Sequence, residues 1–225
     1  MIRLHRLAPL LLAACAVGCT GSLFQSKVPP PTTYLLGAGP AAATAAAARA
    51  AAATAAAATA AAEIPVDLAV LKPSVRRGLE SDRIAALYPD RHLDYFADAR
   101  WSGPLGEVLQ DVAVQAFHTH AALRNVSGEA SVFASAYWLE LEVKDFQAEY
   151  AAGSSAPTVR VRFLARVGTS GDRRILGRFA AAAEQPAAEN RLSAIVDAYA
   201  RATDAALAKI VADVDATLAK TLEAR

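Results

Sequence analysis

The chain has 225 residues, a formal net charge of +1 at pH 7 and a charged fraction of 20%. This balance provides neither the basic surface that nucleic acid requires nor an acidic tail, so nucleic acid is not an expected partner. Hydrophobic residues make up 54% of the chain, which suffices for a core, although much of that fraction is alanine in one tract.

The first segment predicts export. A short basic stretch precedes the apolar run 7–12, and small residues then lead to Cys19. This is the pattern of a bacterial signal peptide. The apolar run is too short to cross about 30 Å of hydrocarbon, so a permanent membrane span is the poorer interpretation. We predict a signal peptide over residues 1–18.

The only two cysteines of the chain, Cys15 and Cys19, lie inside this segment, each after small residues. A cysteine in this setting is typical of a lipoprotein, whose thiol takes a diacylglycerol. We favour Cys19, because a longer apolar run precedes it and the polar residues 20–22 follow it, and Cys15 is the alternative. A disulfide between cysteines four residues apart in a tether would stabilise no fold.

The expected mature chain therefore begins with a lipidated tether over residues 19–33. Its only non-protein groups are the covalent diacylglycerol and an N-acyl chain such as palmitate, and no cofactor is expected. Three acyl chains anchor a protein stably, whereas one holds it only reversibly. Thr20 follows the favoured cysteine in place of aspartate, which under the sorting rule of enteric bacteria indicates the outer membrane.

Residues 41–62 consist of alanine, three threonines and Arg49. Alanine is the best helix former, but its methyl group buries little surface, so this tract predicts an exposed helix or spacer. A membrane span is a weaker alternative, because alanine contributes little to insertion. We interpret the tract as an insertion between two strands, at 33–36 and 64–71, on the condition that those strands are neighbours.

The body continues with a predicted β-hairpin, whose strands 83–88 and 92–96 flank the turn residues Pro89-Asp90-Arg91. A helix follows, with Ser102 as its N-cap, Pro104 in its first turn and its end near residues 118–121. Strict alternation over 137–143 then changes phase at Lys144-Asp145, which predicts a β-bulge.

The partner of that strand is predicted over 158–167, with valines on one face and Arg160, Arg162 and Arg166 on the other. A further strand is expected over 174–182, and a long helix with one apolar stripe over 189–222. The sum is an α/β two-layer sandwich, a mostly antiparallel sheet with two main helices packed on one face. We predict a single domain over residues 34–225.

Four segments occur in a recognisable order: the lipoprotein cysteine, PPPTTYLL at 29–36, LESDRI at 79–84 and LDYFADARW at 93–101. This arrangement resembles the ABC-type transport auxiliary lipoprotein family over nearly the whole chain, the alanine tract excepted. The resemblance implies a lipoprotein similar to the Pqi-type member, lipid-anchored at the periplasmic face of the outer membrane.

The resemblance also implies partners: an MCE-domain protein and an ABC permease with its ATPase, which together move phospholipids or other hydrophobic molecules across the cell envelope. The alternative is a structural envelope lipoprotein without a transport role. Direct lipid binding by this chain is a subsidiary hypothesis that requires a cavity. A homo-oligomer is expected if the protein docks onto a ring-forming partner.

Enzyme activity is not expected, because the sequence contains no Gly-x-x-x-x-Gly-Lys-Ser/Thr loop and no Gly-x-Ser-x-Gly elbow. We therefore assign no catalytic residue. His118 and His120 are two apart on a helix and point in different directions, so no metal site is assigned.

Two features remain as candidate binding surfaces. The arginines at 160, 162 and 166 form either a solvated sheet face or a stripe for lipid headgroups or a partner's acids. Tyr95, Phe96 and Trp101 lie where the family resemblance is densest, and they form either a partner interface or part of the core.

Overall fold

The computed structural model describes residues 30–37, 64–128 and 135–224. The signal peptide, both cysteines and the alanine tract lie outside these ranges, so the predictions made for them stay predictions. The described residues form nine strands and two helices. These are β1 Thr32–Tyr34, β2 Ile64–Val70, β3 Ser74–Val75, β4 Arg83–Leu87, β5 Leu93–Trp101, α1 Leu105–His120, β6 Leu123–Gly128, β7 Tyr137–Glu149, β8 Thr158–Thr169, β9 Ile175–Pro186 and α2 Leu192–Glu223.

Strand β7 is the axis of the sheet. One of its edges pairs antiparallel with β8 over the whole length of both strands, and β8 pairs antiparallel with β9. The other edge pairs in succession with β2, β3 and β4, all parallel to it. Beyond these, β6 pairs with β2, β5 pairs antiparallel with β4, and β1 pairs with β5. The long ladders are antiparallel, as predicted.

The two helices cover one face of this sheet, which confirms the predicted two-layer sandwich. The inward side chains of β8, from Val159 to Val167 at every second residue, are at most 1% exposed. Helix α2 supplies the opposing stripe of Ile195, Tyr199, Ile210 and Val214, each also at most 1% exposed. Burial of each large apolar side chain contributes about 1.5–3 kcal/mol, so this contact forms the main core.

The β-bulge predicted in β7 is confirmed. The register with β8 shifts between Val143 and Asp145, and the buried apolar side chains change there from odd positions to even ones, Phe146 and Ala148. The N–H of Phe146, just after the bulge, donates to Oε1 of Gln147 at 2.7 Å, so this buried amide is satisfied.

The start of helix α1 differs from the prediction. Its N-cap is Pro104 rather than Ser102, and no side chain caps it. The amide of Leu105 instead bonds to the carbonyl oxygen of Ser81 at 3.2 Å. A tertiary contact thus replaces the local cap, and this contact is not visible in the local sequence pattern. The helix ends at His120, within the predicted range.

The assumption that the first two strands are neighbours is wrong. Strand β1 pairs with β5, whereas β2 pairs with β6 and β7, and three strands separate β1 from β2 in the sheet order. The alanine tract therefore does not join adjacent strands. Strand β5 also extends to Trp101, beyond the predicted Phe96, and the short strands β3 and β6 were not predicted.

Candidate docking surface

The residues predicted as a partner interface lie on strand β5, but the structure separates their roles. Trp101 is 1% exposed, and its ring packs edge-on against Tyr199, with centroids 5.2 Å apart, and against Phe146 at 6.0 Å. The hydroxyl of Tyr199 donates to the carbonyl oxygen of Ala85 at 2.7 Å. Trp101 therefore serves the core, and its indole does not form an accessible surface.

Tyr95 is half-buried and ties a loop to the hairpin. Its hydroxyl donates to the carbonyl oxygen of Gly78 at 2.5 Å, and the guanidinium of Arg83 lies 4.2 Å from the centre of its ring. Such a cation–π contact contributes about 0.5–1 kcal/mol at an exposed site. Phe96 is half-buried too and packs against the core.

The segment LESDRI is joined to the end of LDYFADARW by backbone hydrogen bonds. The amide of Trp101 bonds to the carbonyl oxygen of Asp82 at 2.7 Å, and Arg83 pairs with Arg100 in the ladder between β4 and β5. Leu79 is 3% exposed. The two segments that carry the family resemblance thus fix the root of the hairpin and the start of α1.

The turn of the same hairpin carries an aromatic stack that the sequence reasoning missed. The ring of Tyr88 lies nearly parallel to that of Tyr150, with centroids 5.1 Å apart, and also stacks against His92 at 6.1 Å. Tyr88 is 39% exposed. The hydroxyl of Tyr150 donates to Oδ1 of Asn190 at 2.7 Å, which fixes this ring.

Burial raises the pKa of Tyr150, with a smaller contribution from Tyr88, so its hydroxyl stays protonated at neutral pH. The stack is therefore an accessible aromatic surface with one ring fixed, and tyrosine is a residue type enriched at protein interfaces. The signal in the sequence was Tyr88 immediately before the turn. Its contact with Tyr150 depends on the pairing of β4 with β7, which sequence spacing does not reveal.

The charges around this hairpin are not neutralised within the described part of the chain. Glu80, Asp82, Asp94 and Asp98 have no basic nitrogen within 4.0 Å there. Charges of this kind can form pairs with an approaching protein without first breaking internal ones. We call the exposed stack of Tyr88, His92 and Tyr150, together with Asp94 beside the turn, the hairpin surface.

The arginine stripe on β8 is different, because each of its guanidinium groups is paired. Arg166 lies 2.8 Å from Glu140, Arg162 lies 2.7 Å from Asp145, and Arg160 contacts Glu184 at 3.0 Å. The pairs of Arg160 and Arg166 are exposed and contribute little to stability, whereas Arg162 also compensates the buried charge of Asp145. They do neutralise the stripe, which supports the solvated-face interpretation over headgroup binding.

Histidine geometry does not indicate a metal site. Nε2 of His118 lies 2.7 Å from the carbonyl oxygen of Val126, and the described residues contain no group of three or more potential ligands. A cavity of about 130 Å³ lies beside His118 and is lined by Phe117, His118 and residues 123–126. This volume is below the roughly 300 Å³ at which small-molecule sites begin.

The family model of the ABC-type transport auxiliary lipoprotein component matches residues 37–211 of this chain. The protein belongs to this family. The match contains every described element except β1 and the last part of α2, so it covers the fold core and the hairpin surface together. The family is described as a transport component rather than as an enzyme, in agreement with the expectation of no catalysis.

Two solved structures share the fold of this auxiliary lipoprotein. Protein XCC0632 from Xanthomonas campestris, which carries the family description DUF330, is 22% identical, with a TM-score of 0.66, and the match covers 87% of this chain and 98% of that one. A second, of an uncharacterized protein, is 14% identical, with a TM-score of 0.57 and coverage of 83% and 99%. No curated protein sequence matches the chain.

No helix within residues 30–37, 64–128 and 135–224 is both long enough and apolar enough to cross a membrane. Membership in a lipoprotein family associates the chain with the cell envelope. The residue that would attach it, Cys19 or alternatively Cys15, lies outside the described ranges.

Proposed function

We propose that this auxiliary lipoprotein is anchored at the periplasmic face of the outer membrane and serves an MCE-domain protein and an ABC permease with its ATPase. In this role it helps to move phospholipids or other hydrophobic molecules across the envelope. The observation that carries the proposal is the family match over residues 37–211, and the lipoprotein signal peptide predicted over residues 1–18 agrees with it.

The proposed membrane anchor is a diacylglycerol on Cys19, together with an N-acyl chain on the new N-terminus. Thr20 supports the outer membrane as its destination. The energy for transport comes from the ATPase of another chain, since this one lacks the phosphate-binding loop.

The hairpin surface is the proposed contact with the MCE-domain partner. Its aromatic stack can act as an anchor that loses little conformational entropy on binding, and the charges of Arg91 and Asp94 beside it can pair with opposite charges on the partner. Tyr95 supports this surface by tying the loop at Gly78 to β5. Trp101 supports it from the core.

Crosslinking in intact cells tests the proposal. The tagged full chain is crosslinked, the membranes are solubilised, and captured proteins and lipids are identified by mass spectrometry. We expect an MCE-domain protein among the captured proteins. Its absence, under conditions that capture other envelope contacts, would support the structural envelope lipoprotein instead. Co-purified phospholipid without an MCE-domain protein would indicate direct lipid binding.

Membrane fractionation of Cys19→Ser and Cys15→Ser variants tests the anchor separately. We expect Cys19→Ser to lose its acyl groups and to leave the outer-membrane fraction, whereas Cys15→Ser keeps both. Acylation that persists in Cys19→Ser and is lost in Cys15→Ser would move the attachment to Cys15.

A further inference from the structure

Strand β9 has one edge that no described strand pairs with, and this edge extends over all twelve residues. On the edge that faces β8, the amide of Ala187 donates to the carbonyl oxygen of Pro157 at 2.9 Å. This bond shows which residues of β9 bond to β8. In an antiparallel ladder alternate residues bond to the same neighbour, so between Gly177 and Gln185 the odd residues face β8. The even residues direct their N–H and C=O groups to the open edge.

One contact confirms this phase. Nζ of Lys209, on helix α2, donates to the carbonyl oxygen of Ala182 at 3.3 Å. A lysine beside an edge strand is a common way to limit unwanted pairing. Here its side chain is exposed and flexible, so a strand that supplies the same bond can displace it.

We propose that β9 pairs antiparallel with β9 of a second copy of this chain, about a two-fold axis at Ala181. In this register Ala180 lies opposite Ala182 of the second copy, and Arg178 lies opposite its Glu184. All four are edge-facing residues, so each opposed pair can exchange two backbone hydrogen bonds. The interface is isologous, as in most homodimers, and joins the two sheets into one.

Charge complementarity selects this register from its neighbours. Arg178 is exposed and forms no ion pair within the described part of the chain. Glu184 contacts Arg160 of its own chain at 3.0 Å through Oε1, but its side chain is 57% exposed and its Oε2 is left for a second pair. If the axis lay at Ala180 or Ala182, edge-facing residues would still pair with each other, but Arg178 would no longer lie opposite Glu184 of the second copy. With the axis at Ala182, Arg178 would also face Pro186, which has no N–H to donate. Only the axis at Ala181 gives two Arg–Glu pairs.

Helix α2 permits the close approach that this pairing requires. Lys209 marks the side of the helix that leans towards the open edge, and residues three or four apart share a side. Ala205, Ala212 and Ala216 lie on this side and are exposed, as is Asp213, four residues from Lys209. Small side chains let two helices lie close together, so the helices of the two copies fit side by side over the joined sheet.

Disulfide crosslinking of the full chain in isolated membranes tests the register. In Ala181→Cys the two introduced residues form a non-hydrogen-bonded pair with a Cα separation of about 4.5 Å, which a disulfide can span. In the matched control, Ala183→Cys, the Cα atoms lie roughly 14 Å apart. After oxidation with copper–phenanthroline, we expect a homodimer band on a non-reducing gel from Ala181→Cys. We expect none from Ala183→Cys or from the parent chain.

Charge exchange tests the same register without an added thiol. By sedimentation of the detergent-solubilised full chain, we expect Arg178→Glu or Glu184→Arg to lower the dimer association constant about fivefold, because like charges then face each other. The double exchange restores it, Lys209→Ala raises it, and Arg77→Glu, a reversal on an exposed loop, leaves it unchanged.

Several results would overturn the inference: a monomer at all concentrations, equal crosslinking at positions 181 and 183, a double exchange that does not restore association, or a crosslink from position 181 to a different protein. The inference rests on sheet geometry and charge alone, so it can fail while the proposed transport role stands, and the reverse also holds.

Discussion

Two aromatic clusters lie at opposite ends of the β4–β5 hairpin and differ in almost every physical respect. At the root, Trp101, Phe146 and Tyr199 are each at most 1% exposed and meet at centroid distances of 4.9–6.0 Å. At the turn, Tyr88 is 39% exposed and stacks against Tyr150 and His92 at centroid distances of 5.1 and 6.1 Å.

The root cluster connects the hairpin, strand β7 and helix α2, so its removal opens the core. The turn cluster connects only surface segments, so its removal changes what a partner can touch. The difference shows that stability and docking can be changed separately in one hairpin. Substitutions in the two clusters measure how far stability and docking are separate, from the largest expected loss of stability to the smallest.

Trp101→Ala tests the root cluster. We expect the free energy of unfolding to fall by about 3–5 kcal/mol, because a large fully buried ring is lost and a cavity remains. Urea denaturation of the full chain in detergent, followed by circular dichroism, measures the change. Trp101→Phe, which keeps a ring in the same site, should lose clearly less. A loss below about 1 kcal/mol in Trp101→Ala would mean that the root is not the stabilising end.

Much of the core packing around the root could be predicted from the sequence, because alternation in strands and periodicity in helices indicate directly which side chains are buried. The inward valines of β8, the stripe of α2 and the bulge at Asp145 follow from those patterns. The pattern around Trp101 did not decide between core and interface, since an aromatic residue beside a turn suits both. The contact of Trp101 with Tyr199 decides it, and that contact joins segments distant in the chain.

The turn cluster and strand β6 could not be predicted from the sequence, for different physical reasons. Tyr88 meets Tyr150 only because β4 lies beside β7, and sequence spacing carries no information on that pairing. Strand β6 has only two apolar side chains, Leu123 and Val126, and forms through its hydrogen bonds to β2 rather than through its own periodicity.

The pH dependence of the free energy of unfolding above pH 8 compares the two clusters through one tyrosine in each, Tyr199 at the root and Tyr150 at the turn. Burial raises the pKa of Tyr199 well above 10, and raises that of Tyr150 to a smaller degree. The unfolded chain releases these protons near pH 10, while the native state keeps them, so stability is full below about pH 10 and falls as the pH rises further.

Tyr199→Phe should therefore flatten this fall more than Tyr150→Phe does, when urea denaturation is repeated from pH 8 to pH 11.5. Tyr199→Phe also leaves the carbonyl oxygen of Ala85 without its partner, which costs about 1–3 kcal/mol at every pH. The shape of the curve, and not its height, carries the test. An equal slope in both variants would contradict the difference in burial.

Tyr88→Ala should have the smallest effect on stability and the most specific effect on binding, if the proposed function holds. The substitution removes the stacking on Tyr150 and on His92, and a stacked aromatic pair contributes about 0.5–1.5 kcal/mol, less at an exposed site than in a core. Crosslinking to the MCE-domain partner should nevertheless fall several-fold, since hot spots at interfaces are dominated by a few rigid aromatic side chains. The matched control is Leu164→Ala, because Leu164 is 37% exposed but lies on the face of β8 whose charges are paired internally. Equal loss of capture in both variants would assign the docking to neither surface, whereas loss in Leu164→Ala alone would move it from the hairpin to the sheet face.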